Sequence, residues 1–506
     1  MLTKSRHLFA LTLVVSSVLS ACGGGGGGSA TTTPPAPVTG STTLVASSTV
    51  QNLCQSPRTG LDPLNGNTPY PDKQGTLANE KTWLRSWIDE TYLWYKEVPT
   101  TLNPDNYSSA ITYFNDLKTN AITASGKPKD QFHFTYTSAE WDTLIQQSVE
   151  LGYGINWATS PSGTKPRKWV ITYVESGSPS ANAGLRRGDQ LFSVDNVDFL
   201  NSSDSASVAA LNAGLFPATA GETHQFVVTR AGSNIGVSLA ASNVTTTPVQ
   251  NVKTIATATG NVGYLTFNSH NAVSELQLIN AINQLKSAGI TDLVLDLRYN
   301  GGGYLNIASE LAYMIAGPTA TAGKTFEQTQ FNDKYLPGTP TPFYSTTQGF
   351  SATSGQALPY LGLKKVSVLT TAGTCSASES VINSLQGIDI EVDVIGAQTC
   401  GKPYGFNPAP NCGTTYFAIQ FKGVNNKGFG DYADGIPPTC SVADDFTHAI
   451  GDPAEGQLAA ALSYRNNRVC PAASSGVQLP GQALSSPMLL VRPISKEIAI
   501  YTAGKK

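Results

Sequence analysis

Residues 292–304 read DLVLDLRYNGGGY, an apolar run stopped by glycines. Asp292 to Arg298 is too short for a helix and has the pattern of a strand buried on both faces. The run Gly301, Gly302 and Gly303 ends it, and Tyr304 to Ile315 resumes with helical periodicity. Upstream, Val262 to Phe267 reads as a strand, and Val273 to Ala288 as a helix with Leu278, Ile282 and Leu285 on one face. Downstream come a strand at Val366 to Thr371, a helix at Ser376 to Gln386, a strand at Ile390 to Ile395 and a closing helix at Gly456 to Arg465. This rhythm predicts an α/β domain over residues 255–468, with helices covering a sheet. A glycine run between strand and helix lets backbone N–H groups converge on an anion or a developing oxyanion. A nucleotide phosphate loop is excluded, because Tyr304-Leu305 stands where a Lys-Ser/Thr pair is required.

The 506-residue chain sets 32 Lys+Arg against 35 Asp+Glu, a formal net charge of -3. That balance offers no surface for a phosphate backbone and argues against nucleic acid as a partner. Hydrophobic residues at 40% and aromatics at 9% exclude a wholly disordered chain. At the N-terminus, Lys4 and Arg6 precede an apolar run, Leu8 to Ala21, too short for a permanent span. Its end, Leu19-Ser20-Ala21-Cys22, resembles the lipobox of bacterial lipoproteins. The resemblance implies a signal peptide over 1–21, lipidation of Cys22 and a lipid-anchored place in the cell envelope, on the periplasmic or surface face of the outer membrane. Gly23 to Gly28 and the Ser/Thr/Pro stretch after it form a flexible tether over 22–50. No later segment reaches the ~18 consecutive apolar residues of a transmembrane helix.

Residues 51–148 read as a small helical cap, with helices at Glu80 to Lys96, which places Trp83, Trp87 and Leu93 on one face, and at Tyr107 to Asn120. Residues 149–245 are strand-rich, with one strand at Trp169 to Val174. Here Gly152-Tyr153-Gly154-Ile155, the Ser178-Pro179…Ala183-Gly184-Leu185-Arg186 segment and the turn Gly188-Asp189 resemble a PDZ domain of the bacterial protease type. Closely spaced glycines expose backbone N–H groups to a peptide carboxylate, and a strand edge accepts the peptide as an added strand. Residues 469–506 form a tail, strand-like from Met488 to Tyr501.

Two further loops carry chemistry. Gly373-Thr374-Cys375-Ser376-Ala377-Ser378-Glu379 puts Ser376 at a helix N-terminus, where Ser376 and Glu379 also match a capping box. After the next strand comes Thr399-Cys400-Gly401-Lys402-Pro403-Tyr404-Gly405. With the Asp296-Leu297-Arg298-Tyr299-Asn300 loop, these motifs resemble the carboxyl-terminal processing (tail-specific) serine peptidase family, over roughly residues 80 to 465. The resemblance implies a Clp protease/crotonase-like core with an inserted PDZ domain. It also implies Ser376 as nucleophile, Lys402 as general base, and Ala377 with Gly302 or Gly303 as oxyanion hole. Glu379 occupies a position whose carboxylate supports the site in some members, and capping serves it equally well. The implied activity is a serine endopeptidase acting on protein or peptide substrates without a cofactor, its PDZ domain recognising substrate C-termini or gating the site. Two positions depart from the family pattern: Phe406 stands where many members carry a glutamine that orients the lysine, and Gly387 stands where some members use an aspartate at the end of the serine helix. A catalytically weak or inactive peptide- or small-ligand-binding lipoprotein on the same fold is the alternative reading.

Of seven cysteines, Cys22 is assigned to lipid, and the other six suit disulfides in an oxidising compartment. Bridges bracing the site loops and tying the tail to the cap are expected. No metal site is expected, since no His-Glu-x-x-His or Cys-x-x-Cys spacing occurs and the five histidines are scattered.

Overall fold

The computed structural model describes residues 44–63, 65–159, 165–471 and 500–501. The expected signal peptide, the expected lipid attachment point at Cys22, residues 22–43 of the expected tether and most of the C-terminal tail lie outside these residues. Among the described residues no helix is long and apolar enough to cross a membrane.

After a single helical turn at Ser47–Val50 and short strand pairs, the N-terminal region is built on helix α1 (Leu77–Thr91), whose cap Thr76 exchanges hydrogen bonds with Asn79. Trp83 and Trp87, one turn apart, stack with ring centroids 5.4 Å apart and join a buried aromatic cluster. The helix stops at Thr91, short of the expected Lys96, and only a 3₁₀ turn (Tyr95–Glu97) follows. The second helix, α2 (Ala110–Asp116), is likewise shorter than expected. Strand β1 (Phe134–Thr137) leaves the cap altogether to pair with residues 414–417 of the α/β domain. Trp83, Trp87 and Phe114 therefore share one core with Cys375, Phe406 and Phe417, and the cap is packed onto the site loops.

The β-rich region forms an antiparallel sheet from β2 (Ile155–Thr159), β3 (Trp169–Val174), β4 (Gln190–Val194), β5 (Thr223–Arg230) and β6 (Ser233–Ala240). The order is β6-β5-β4-β3-β2, so β2 is an edge strand. Helix α3 (Ser205–Leu215) covers it through Leu211 and Leu215.

The α/β domain is built on β7 (Val249–Thr257), β8 (Gly260–Phe267), β9 (Asp292–Asp296), β11 (Lys365–Thr370), β12 (Glu391–Gly396) and a short β15 (Cys440–Ser441). Strands β10 (Gly303–Tyr304), β13 (Tyr404–Gly405) and β14 (Thr414–Phe417) lie outside this sheet. The sheet order is β7-β8-β9-β11-β12-β15, parallel from β8 onward. Every residue of β9 is buried, as a strand covered on both faces requires. Leu293 and Leu295 face α4 (Ser274–Ser287), α5 (Leu305–Thr321) and α6 (Ala377–Gly387), while Val294 faces α7 (Gly456–Asn467). Beyond the domain, the tail contributes β16 (Ile500–Tyr501).

Three disulfides form: Cys54–Cys412, Cys375–Cys400 and Cys440–Cys470. The middle one braces the site loops as expected. The tail is not tied to the cap, however; Cys470 pairs with the sheet cysteine Cys440, and the cap is pinned through Cys54 instead.

Candidate active site

Parallel strands end together at one edge of a sheet, and ligands bind where the loops after them meet. The loops after β9, β11 and β12 bring the three sequence motifs to one place. Ser376, at the entry to α6, has φ 64° and ψ -120°, a strained conformation for a residue with a side chain. Its hydroxyl is fully buried and has no hydrogen-bond partner among the described residues. Glu379 Oε2 accepts the Ser376 N–H at 2.9 Å, so the carboxylate half of the capping box forms while the serine oxygen stays unengaged.

The same Glu379 carboxylate holds the lysine loop. It accepts the N–H groups of Gly401 at 2.9 Å and Lys402 at 2.8 Å, and the Thr399 hydroxyl. One oxygen, Oε2, thus bridges the backbones of Ser376 and Lys402. The Cys375–Cys400 disulfide, Cα–Cα 5.2 Å, ties the same two loops one residue before Ser376 and two before Lys402. Burial pushes the Glu379 carboxyl upward, against hydrogen bonds from Thr399 and the backbone that pull it down. Breaking the brace with Cys375→Ser and Cys400→Ser together is expected to cost about 3 kcal/mol in urea unfolding, since it frees a short chain loop. It should lower turnover further by loosening the two loops.

Lys402 is fully buried. Its Nζ lies 4.3 Å from the ring centre of Phe406 and 4.7 Å from that of Phe132. Desolvation drives its pKa well below the ordinary lysine value, opposed by the charges of Asp130 and Glu379. The two aromatic rings flank the amine. Asp130 accepts from Tyr92 Oη at 2.7 Å and from the Phe132 N–H at 2.9 Å, fixing the segment that carries Phe132.

The glycine loop is clamped by Asn300. Its Oδ1 accepts the Gly302 N–H at 2.9 Å and lies 3.1 Å from His270 Nδ1; its carbonyl accepts the N–H of Cys375 and the hydroxyl of Ser378, each at 3.1 Å. The Gly302 carbonyl accepts from the His270 N–H on the loop after β8, so both its polar groups are committed. That leaves Gly303, whose φ of 138° and 2.4 Å clearance to the His270 carbonyl admit no side chain. Burial drives the His270 pKa down to about 3, so this imidazole is neutral and structural at ordinary pH.

Asp296 and Arg298 of the same motif do not reach the nucleophile. Arg298 is fully buried against Asp296, Asp444 and Glu455. The neighbouring Tyr299 hydroxyl donates to Asp444 and accepts from Arg187, which reaches in from the β-rich domain and pairs with Asp444 at 2.6 Å. The β-rich domain is thereby hydrogen-bonded to the glycine loop.

In that domain, Gly152-Tyr153-Gly154-Ile155 leads into the edge strand β2. The Tyr153 hydroxyl donates to the Gly214 carbonyl at 2.9 Å, and Gly154 (φ 73°) abuts Ser178, so the loop shape is locked. The ligand-type atoms of Cys375, Glu379 and Cys400 converge within 4.8 Å, but the two sulfurs are bonded to each other and the trio acts as a brace.

Sequence reasoning missed Asp130, Phe132, His270, Asn300 and Arg187. The alternation Phe132-His133-Phe134 carries only a weak strand signal, and nothing local ties it to Lys402.

Residues 261–442 match peptidase family S41, residues 79–134 the S41 N-terminal domain, and residues 170–213 a PDZ domain. A carboxyl-terminal-processing protease of Synechocystis is 26% identical over 229 residues, 45% of this chain and 48% of that protein. The chloroplastic carboxyl-terminal-processing peptidase 1 of Arabidopsis thaliana is 25% identical over 261 residues, 49% of this chain and 50% of that protein. The chain thus spans about half the length of the curated relatives it matches. A crystal structure of an S41-type protein from Bacteroides fragilis superposes with a TM-score of 0.60 at 23% identity, covering 79% of this chain and 98% of that one, a likeness of fold. With N-terminal domain, PDZ domain and peptidase domain matched in that order, residues 79–442 carry the domain arrangement of peptidase family S41.

Proposed function

We propose that the chain is a serine endopeptidase of the cell envelope, cleaving extended polypeptides through Ser376 and Lys402. The observation that carries this reading is a strained, buried serine with an unengaged hydroxyl, bridged through one carboxylate oxygen to a lysine buried between two aromatic rings. A serine hydroxyl attacks a carbonyl well only as its proton leaves, and a neutral amine takes that proton. Oγ adds to the scissile carbonyl carbon while Lys402 Nζ accepts the hydroxyl proton. The carbonyl oxygen becomes an oxyanion facing the amides of Ala377, at the start of α6, and Gly303. Collapse breaks the C–N bond, and Lys402 returns its proton to the leaving amine. Water then attacks the acyl ester with Lys402 again as base, releasing a carboxylate and restoring Ser376.

The PDZ loop and the β2 edge supply a second contact, for a substrate C-terminus. Cys22 tethers the assembly to a membrane through lipid. The test is cleavage of several unfolded proteins by the mature chain and by its Ser376→Ala form. Cleavage by the first alone is expected. Equal cleavage by both would remove Ser376 from the mechanism, and cleavage by neither would favour the binding-only alternative.

A further inference from the structure

The tail returns to the site. Strand β16, Ile500–Tyr501, pairs in parallel with β10, Gly303 opposite Ile500 and Tyr304 opposite Tyr501. It also approaches β13, Tyr404–Gly405, which begins two residues after Lys402, directly past Pro403. The tail backbone thus runs between the strand that ends the glycine loop and the strand that follows the lysine loop. A two-residue strand with two short neighbours gains nothing as a sheet of its own. Its position is that of an extended peptide added to a strand edge, the mode in which main-chain hydrogen bonds carry recognition.

We infer that β10 is the subsite for extended polypeptide, and that the chain's own C-terminal segment occupies it in competition with substrate. The inference rests on the peptidase reading for what the subsite serves, but not for what binds it. Gly303, the partner of Ile500, also bears an amide assigned above to the oxyanion, so a seated tail and a reacting substrate exclude each other. The root of the tail is fixed, because Cys470 is joined to Cys440 at the sheet. From there to Ile500 the chain reaches on the order of 90 Å when extended, enough to enter its own site. A tethered ligand has an effective concentration near millimolar, so occupancy is intramolecular and independent of protein concentration.

The test separates binding from catalysis by using the full mature chain carrying Ser376→Ala. The probe is a fluorescent peptide with the sequence of residues 496–506, KEIAIYTAGKK. A second protein adds Ile500→Pro and Tyr501→Pro, which remove the N–H groups a paired strand must donate. The peptide is expected to bind this second protein at least tenfold more tightly than the first, with a ratio unchanged on diluting the protein. In the Ser376-containing chains, the same prolines should lower KM for an unfolded substrate severalfold and leave kcat unaltered. Equal peptide affinity for both proteins, or binding to neither, overturns the inference. Preserved binding with no cleavage by any chain would sink the peptidase reading and leave this one standing.

Discussion

Replacing Lys402 with methionine is expected to lower kcat roughly ten-thousand-fold or more while raising the melting temperature. Loss of one member of a nucleophile–base pair removes nearly all of what the pair contributes. The stability gain follows from where the amine sits. Desolvation beside Phe132 and Phe406 holds its pKa well below that of an unfolded lysine, although Asp130 and Glu379 pull the other way. Between the folded and unfolded values the unfolded chain carries the extra proton, so stability rises with pH across that window. Below the folded pKa the lysine is charged in both states and the penalty of burying it is complete. Methionine, apolar and of similar length, removes the penalty, so the gain should be largest at neutral and lower pH and shrink toward pH 10. Lys402→Arg should be equally inactive and less stable, because a guanidinium stays charged. In the unmodified chain, kcat/KM should climb as pH rises through the depressed lysine pKa and be established well below pH 10. Calorimetry and cleavage rates across pH check these points; Lys402→Met activity within tenfold of the unmodified chain would exclude lysine as the base.

Arg298→Leu should cost about 3–5 kcal/mol, the range for breaking a buried ion pair from one side. Arg298 Nε and one terminal nitrogen donate to Asp296, while the other donates to Glu455 at 2.7 Å and Asp444 at 3.0 Å. Its removal leaves those carboxylates facing one another, with Arg187 and the Tyr299 hydroxyl still against Asp444. Burial works to raise the Asp444 pKa, but Arg187 and Arg298 together hold it below the usual carboxylate range. A carboxylate depressed in this way contributes stability above its unfolded pKa and loses it as pH falls through the folded one. Without Arg298 the depression shrinks, so the deficit in urea unfolding should be greatest near neutrality and smaller in acid. Activity should fall as well, because the Arg298 carbonyl accepts from Thr371 and its chain leads into Asn300. A cost below about 1 kcal/mol would mean the network is not held by this guanidinium.

The α/β rhythm was legible because it is local. The strands at Val262 to Phe267, Val366 to Thr371 and Ile390 to Ile395 were recovered to within a few residues, since burial on both faces writes itself as short β-branched runs. The serine, lysine and glycine loops were legible as motifs for a similar reason: strand end, turn and helix start are set by neighbouring residues. Helix ends in the cap were read too long, because Leu93 turns from α1 to give its N–H to the Ile419 carbonyl, a partner far away in the chain.

What local pattern left open concerned roles. Ser376 and Glu379 spell a capping box in sequence, and only the folded loop, by straining Ser376 and turning Glu379 toward Gly401 and Lys402, withdraws the hydroxyl from capping. Phe406 read as a defect beside Lys402. It becomes one wall of a slot once Phe132, from the N-terminal region, supplies the other. Asn300 belonged to a motif without a role of its own, and in the fold it is the clamp between two loops. Residue order sets strand, turn and helix through contacts a few positions apart. A lysine's proton affinity and a serine's strain depend on which distant segments exclude water from it, and that is settled only when the chain closes on itself.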